Sequence, residues 1–316
     1  MPVGVSLKPQ HFRTIIETNP NLGFFEIHAE NYMVDGGPFH HYLAEIRSRY
    51  PLSIHGTALS IGGAELDLDH LKRLVMLVDR YEPAWVSEHL AWSTHNGSYL
   101  ADLLPIRYSH ESLSSVCQHI QQTQSMLRRT LLLENPATYI RFANPNLTMS
   151  DFSEADFISE VVKRTGCHLL LDVNNVFVTC HNHELDVSDY LNALPLNRVA
   201  QIHLAGFEEQ SGATAPLLID SHGAAIADPV WDLFESIVTR LPESTLLPIL
   251  IERDNNVPPL ADLILEAQRA QAIELKVGAN RRSGSQQSSQ TDSNPIAHPL
   301  SKPTSKPTST TADHHD

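Results

Sequence analysis

Residues 168–175 read His-Leu-Leu-Leu-Asp-Val-Asn-Asn, an apolar run that stops on a carboxylate and two amides. Three leucines without polar alternation suit a strand covered on both faces, as parallel strands are. The abrupt polar ending puts chemistry at one end of that strand. The same construction recurs along the chain, with runs at Val3–Leu7, Gly23–His28, Leu52–His55, Ala84–Leu90, Thr130–Glu134, His168–Val173, Arg198–Leu204 and Leu247–Glu252. Helical patterns lie between them, among others at Leu66–Tyr81, Ser109–Arg129, Glu154–Arg164 and Asp228–Arg240. Eight strands alternating with helices predict an α/β fold, a (β/α)8 TIM barrel. A doubly wound open sheet is the competing arrangement, but no Gly-rich phosphate loop follows the first run.

Composition narrows the class. The 316 residues include 22 basic and 37 acidic side chains, a formal charge of −15, which argues against a nucleic-acid backbone as partner because that contact needs clustered Lys and Arg. Three cysteines, Cys117, Cys167 and Cys180, show no paired spacing, so a disulfide framework or a thiolate zinc site is not expected. Cys117 falls inside a helical pattern and Cys167 just before a strand, and both read as buried structural thiols. The beginning, Met1-Pro-Val-Gly-Val-Ser, lacks the regions of a secretory signal, and no apolar run reaches the ~18 residues of a membrane span. A cytoplasmic protein without a membrane partner is the expectation.

Composition shifts at Gly278. Residues 279–316 are dominated by Ser, Thr, Pro and Gln and repeat Ser-Lys-Pro-Thr at 301–308. Ordering such a stretch costs entropy with little apolar burial in return. The expected organisation is a metal-binding catalytic barrel over residues 1–278 and a disordered tail over 279–316. His314 and His315, within the tail, read as adventitious.

The residues that end the apolar runs carry the functional signal. They are His55; Glu88 and His89; Glu134; Asp172 with Asn174 and Asn175; His203; and Glu252, with Asp220 and His222 in the loop after the seventh run. In a barrel the carboxyl ends of all strands converge on one face, where active sites are built. Imidazoles and carboxylates without thiolates suit Fe, Mn or Zn, and a carboxylate such as Glu134 can bridge two ions. Side chains alternate along a strand, so one of Glu88 and His89 enters the mouth, and His89 is preferred. Asn174 and Asn175 read equally well as caps of the next helix. Glu26, His28, Glu30 and Asn31 are expected to line the pocket without touching metal, and Arg253 with Asp254 to form a surface ion pair. His181 and His183 lie well past a strand end and are expected outside the ligand set. Without a G-x-S-x-G elbow, a serine nucleophile is not supported.

At this point the motifs resemble a known family. Ser-Glu-His-Leu-Ala-Trp (87–92), Asp-Leu-Leu-Pro (102–105), Leu-Glu-Asn-Pro (133–136), Leu-Asp-Val-Asn-Asn-Val (171–176), Ile-His-Leu-Ala-Gly (202–206), Asp-Ser-His-Gly (220–223) and Ile-Glu-Arg-Asp (251–254) are similar to blocks of the DUF692 or UPF0276 family, over about residues 2–272. Its characterised members are multinuclear non-haem iron-dependent oxidative enzymes. The resemblance implies a TIM barrel with two or three irons, mixed Fe(II) and Fe(III), and O2 as co-substrate. It implies a ribosomal precursor peptide as substrate, often modified at Cys, and a separate partner protein that captures the leader. Carried over, His55, His89 and Glu134 hold one iron, which Glu134 bridges to a second held by Asp172, His203 and Glu252. Asn175, Asp220 and His222 hold a third, and Glu134, Asp172 and His203 form the catalytic heart. The family's Gly-Leu-Arg-Pro block here reads Ser6-Leu7-Lys8-Pro9, which replaces a bidentate guanidinium by an ammonium.

The ligand order is also similar to the trinuclear zinc site of endonuclease IV-like barrels, relatives of the xylose isomerase-like fold. That resemblance implies a zinc-dependent hydrolase as the alternative. Asn175 stands where those sites carry His, and the acidic barrel makes a poor DNA cradle. A metal-binding scaffold subunit without turnover is a third reading.

Overall fold

The computed structural model describes residues 2–95, 97–142, 152–210, 216–242 and 247–290. The strands are β1 (Val3–Ser6), β2 (Phe25–His28), β3 (Leu52–Gly56), β4 (Trp85–His89), β5 (Trp92–His95), β6 (Ser98–Leu104), β7 (Leu132–Glu134), β8 (His168–Asp172), β9 (Val199–Leu204), β10 (Glu208–Gln210), β11 (Leu217–Ile219) and β12 (Ile249–Ile251). Eight of them close into a barrel in the order β1-β12-β9-β8-β7-β4-β3-β2. All of its pairings are parallel. This is the expected (β/α)8 barrel. Not foreseen were two antiparallel hairpins after barrel strands, β5–β6 following β4 and β10–β11 following β9.

Helices α1 (Phe12–Thr18), α2 (Pro38–Arg47), α3 (Leu68–Tyr81), α4 (His110–Leu127), α5 (Glu154–Thr165), α6 (Val173–Asn182), α7 (Val187–Ala193), α8 (Asp228–Arg240) and α9 (Leu260–Gln290) complete the alternation. Their ends follow local chemistry. The Asp67 carboxylate accepts the Asp69 and His70 amides at the start of α3, and Ser109 and Ser112 form a reciprocal capping box at α4. Gly166 ends α5 at φ +70°, a left-handed position that glycine adopts without a Cβ penalty. α3 buries one stripe, formed by Leu71, Leu74, Leu77, Val78 and Tyr81, whereas α6 is buried on most of its surface.

The first unit of the chain, Met1–Gly278, contains the barrel. The helical backbone of α9 runs past the composition change at Gly278 to Gln290, and the rest of the expected tail, 291–316 with His314 and His315, lies outside the described residues. Among the described residues, no helix is long and apolar enough to cross a membrane.

Candidate metal centre

Alternation along the strands builds the site. On β2, Glu26 and His28 are two residues apart, as are Ser53 and His55 on β3, Ser87 and His89 on β4, and Gln201 and His203 on β9. Their shared face is the barrel interior. Gln201 Nε2 donates to Glu26 Oε2 at 2.6 Å across 175 residues of sequence, and Ser53 Oγ reaches Gln201 Oε1 at 3.5 Å. The intervening Ile27, Ile54, Val86 and Ile202 join the hydrophobic core. Parallel register then levels the polar ends, pairing His28 with His55, His89 with Glu134, and Asp172 with His203.

Two loops bring the remaining donors. At Gly206, just after β9, any side chain would run into the backbone carbonyls of Ala224 and Ala225, so the loop bearing Asp220 and His222 packs closely there. His222 adopts φ +47°, and its carbonyl accepts the Asp254 amide at 3.0 Å. Asp172 also caps α6, its Oδ1 accepting the Asn175 amide at 2.6 Å.

The donors fall into overlapping groups in which one ligand atom per residue lies within 4.8 Å of the others: His55–His89–Glu134, Glu134–Asp172–His203, Asp172–His222–Glu252, Glu26–His203–Glu252 and His28–Glu252–Asp254. His55 Nδ1 bonds Ser87 Oγ at 2.7 Å, which turns Nε2 toward His89 Nε2 at 2.8 Å and Glu134 Oε2 at 3.3 Å. His89 Nδ1 stands 3.0 Å from the same Glu134 oxygen. His203 is gripped on both ring nitrogens, Nε2 3.1 Å from Glu26 Oε1 and Nδ1 2.9 Å from Glu252 Oε2.

Several buried donor atoms in this centre make no hydrogen bond: His28 Nε2, Glu134 Oε2, Asp172 Oδ2, Asn175 Oδ1 and His222 Nε2. His222 Nε2 is 2.7 Å from Asp220 Oδ1 yet out of line for such a bond. Leaving buried polar atoms unpaired costs about 1–3 kcal/mol each. Lone pairs that converge without bonding one another fit coordination to a metal ion, and the oxygen and imidazole set fits iron, manganese or zinc.

Electrostatics divide the donors of the metal-free centre, and those held protonated must release a proton for an ion to bind. Burial, reinforced by His89, holds the His55 imidazole well below its ordinary range, and burial lowers His89 to about 4, so both are neutral as ligands require. Burial raises the Glu134 carboxyl well above the carboxylate range and carries Asp172 up to about 7. Burial opposes charge on His203 and His222 as well, but Glu26 and Glu252 hold the first well above its usual value, and Asp220 and Glu252 the second. For Glu252, burial is outweighed by His222 and His203, which keep it ionised.

All nine sequence-predicted ligands are drawn together at this face: His55, His89, Glu134, Asp172, His203, His222 and Glu252 within the donor groups, Asn175 through Nδ2 on Glu134 Oε1 at 3.3 Å, and Asp220 through His222. Asn174 instead donates to Asp220 Oδ1 at 2.6 Å. Glu88 turns away from the mouth, its Oε1 accepting the Leu59 amide at 2.6 Å. His181 and His183 bond the Pro216 carbonyl and the Thr138 hydroxyl, apart from the donor groups. The three cysteines are buried and unpaired.

One expectation needs correction. Arg253 and Asp254 are not a surface ion pair: Arg253 is buried and pairs with Glu266 at 3.2 Å, while Asp254 contacts Lys8, His28 and His222. Glu26 and His28 line the pocket, and each also belongs to a group of residues able to hold an ion. The i, i+2 spacing of these two in β2 was the available signal. Glu30 is directed elsewhere, to the Thr57 and Ala58 amides and His70.

The profile of the family described as RiPP precursor modification enzyme MbnB/TglH/ChrH matches residues 2–275; RiPP denotes a ribosomally made, post-translationally modified peptide. A UPF0276 protein of Paraburkholderia phytofirmans is 50% identical over 274 residues, covering 86% of this chain and 87% of the relative. One from Bordetella bronchiseptica is 51% identical over 272 residues, covering 85% and 91%. Among solved structures, a D-psicose 3-epimerase from Clostridium cellulolyticum H10 with D-tagatose superposes with a TM-score of 0.56 at 10% identity, over 88% of this chain and 99% of that one, a likeness of fold alone. A profile match across nearly the whole barrel, joined to relatives at half identity, shows that the chain belongs to the RiPP precursor modification enzyme family MbnB/TglH/ChrH.

Proposed function

We propose that this chain is a multinuclear non-haem iron enzyme that uses O2 to oxidise a residue, usually Cys, of a ribosomally synthesised precursor peptide. The observation that carries the reading is the set of buried, unbonded donor atoms on Glu134, Asp172, Asn175 and His222, set in a member of a peptide-modifying family. Iron, when bound, supplies the one-electron chemistry and oxygen activation that no side chain here provides. His55, His89 and Glu134 would hold one ion, Asp172, His203 and Glu252 a second, and Asn175, Asp220 and His222 a third.

The chain's own part is to orient and to shield. Ser87 fixes the His55 ring, and Glu26 bonded to Gln201 fixes His203 from below. Such partners set the tautomer and aim the coordinating nitrogen. On the loop after β7, Tyr139 accepts the Asp220 amide, linking this loop to the centre. Its neighbours Ile140, Arg141 and Phe142 line a cavity of about 380 Å³ with Tyr108 and Phe152. None of the donor residues lines this cavity, which is tied to the centre through the Tyr139–Asp220 bond; the group taken to reach the donors is a peptide segment. A separate leader-binding protein would deliver it.

The test is elemental analysis of protein purified anaerobically from iron-supplemented cells. About two or three irons per chain, with O2 uptake coupled to a mass change in a candidate peptide, is the expected result. Tightly held zinc with negligible iron would move the reading to a hydrolytic barrel, and peptide binding without a mass change would move it to a scaffold.

A further inference from the structure

One edge of the centre contains a cation supplied by the chain itself. His28, Glu252 and Asp254 form a donor group of the same kind as those assigned to metal. Yet Lys8 Nζ lies 2.6 Å from Asp254 Oδ1, the same oxygen that faces His28 Nε2 at 3.3 Å. The ammonium is held there by its loop. Gln10 and His11, in the turn that follows, bond the Val257 and Pro258 carbonyls at 3.0 and 2.9 Å, and the Leu7 amide donates to Glu26 O at 2.7 Å. Asp254 Oδ2, its other oxygen, faces His222 Nδ1 at 3.2 Å.

We propose that the Lys8 ammonium is a resident cation that closes the His28–Glu252–Asp254 position to a further divalent ion and keeps Asp254 free to orient His222. The inference rests on the metal reading above. An ammonium donates hydrogen bonds but has no lone pair or open coordination position, so it satisfies a carboxylate without extending the cluster. Any ion taking Asp254 Oδ1 would sit within about 5 Å of Nζ, where like charges repel. Lys8 is a positioning residue in this scheme.

The experiment counts ions. Wild type, Lys8→Met, Lys8→Gln and Lys8→Arg are stripped with chelator, titrated with Mn²⁺ alone, and analysed for bound metal per chain. Both neutral variants should gain about one ion over wild type, Lys8→Arg should match wild type, and the Lys8→Met/Asp254→Asn double variant should return to the wild-type count. Neutral variants that bind no more ions than wild type would overturn the proposal. A wild-type chain that binds no divalent ion would overturn the metal reading itself, a result visible without any variant.

Discussion

Ile54 and His55 are neighbours in β3 and are equally sealed from water, but the two burials have opposite consequences. Ile54 joins the hydrophobic core, where full burial of such a side chain stabilises by about 1.5–3 kcal/mol. His55 points among other imidazoles and carboxylates, where burial is unfavourable for any charged state. The outer layer of strand residues therefore sustains an inner layer that would not be buried for stability. Glu88 gives a third case: a carboxylate turned from the mouth, 1% exposed, which burial keeps neutral by raising its pKa well above the usual range.

The sharpest separation of the layers comes from paired truncations. Phe234→Ala, in the helical layer, should cost about 3–5 kcal/mol in denaturant unfolding. Glu134→Ala and His203→Ala should instead leave the circular-dichroism spectrum unchanged and strip most of the bound metal. A Glu134→Ala protein that keeps its full metal content would break the contrast. Next in size is Glu26→Gln, which loses the carboxylate behind His203; metal affinity should fall about 10–100-fold, read by competition with a chromogenic chelator.

A pH series on metal-free protein sharpens the same point. Asp172, raised to about 7, binds a proton more readily folded than unfolded, so its contribution declines as pH rises through that range. His203 and His222, also raised, contribute fully below their unfolded value near 6.5 and lose that contribution as pH rises through their folded values. Glu252 and Asp254 are depressed, so their contributions fail only in acid. Thermal melts should therefore show lower stability at pH 8 than at pH 5, and added Mn²⁺ should narrow the gap; a flat profile would contradict these shifts. The smallest effect is expected at Glu88→Gln. An already neutral acid is replaced by an amide of similar shape, so metal content should hold and stability should shift by less than about 1.5 kcal/mol.

The barrel was legible because its strands announce both limits, an apolar run and then a sudden polar end, as at Leu171-Asp172 and Leu133-Glu134. Alternation was enough to separate His89 from Glu88. What linear reading could not supply was the neighbours created by closure. Glu26 meets Gln201 and His203 only because β2 and β9 face one another across the interior. Adjacent residues suggested Arg253 with Asp254, yet an extended segment sends consecutive side chains to opposite sides, one to Glu266 and the other to Lys8. The two hairpins were missed because β6 and β10 are exposed, leaving no buried apolar run to mark them, and β11 is only three residues long.

The join between β1 and β12 has a temporal meaning. There, Ser6 Oγ accepts the Arg253 amide and donates to its carbonyl, bonds between residues 247 apart in sequence. Such non-local contacts are entropically late, because the chain between them must be ordered before they are rewarded. Glu26 and His28 leave the ribosome early, while Glu252 and Asp254 arrive more than two hundred residues afterwards. A nascent chain stalled before residue 252 therefore holds only fragments of the centre, and any metal loading that needs all of its donors follows barrel closure instead of nucleating it.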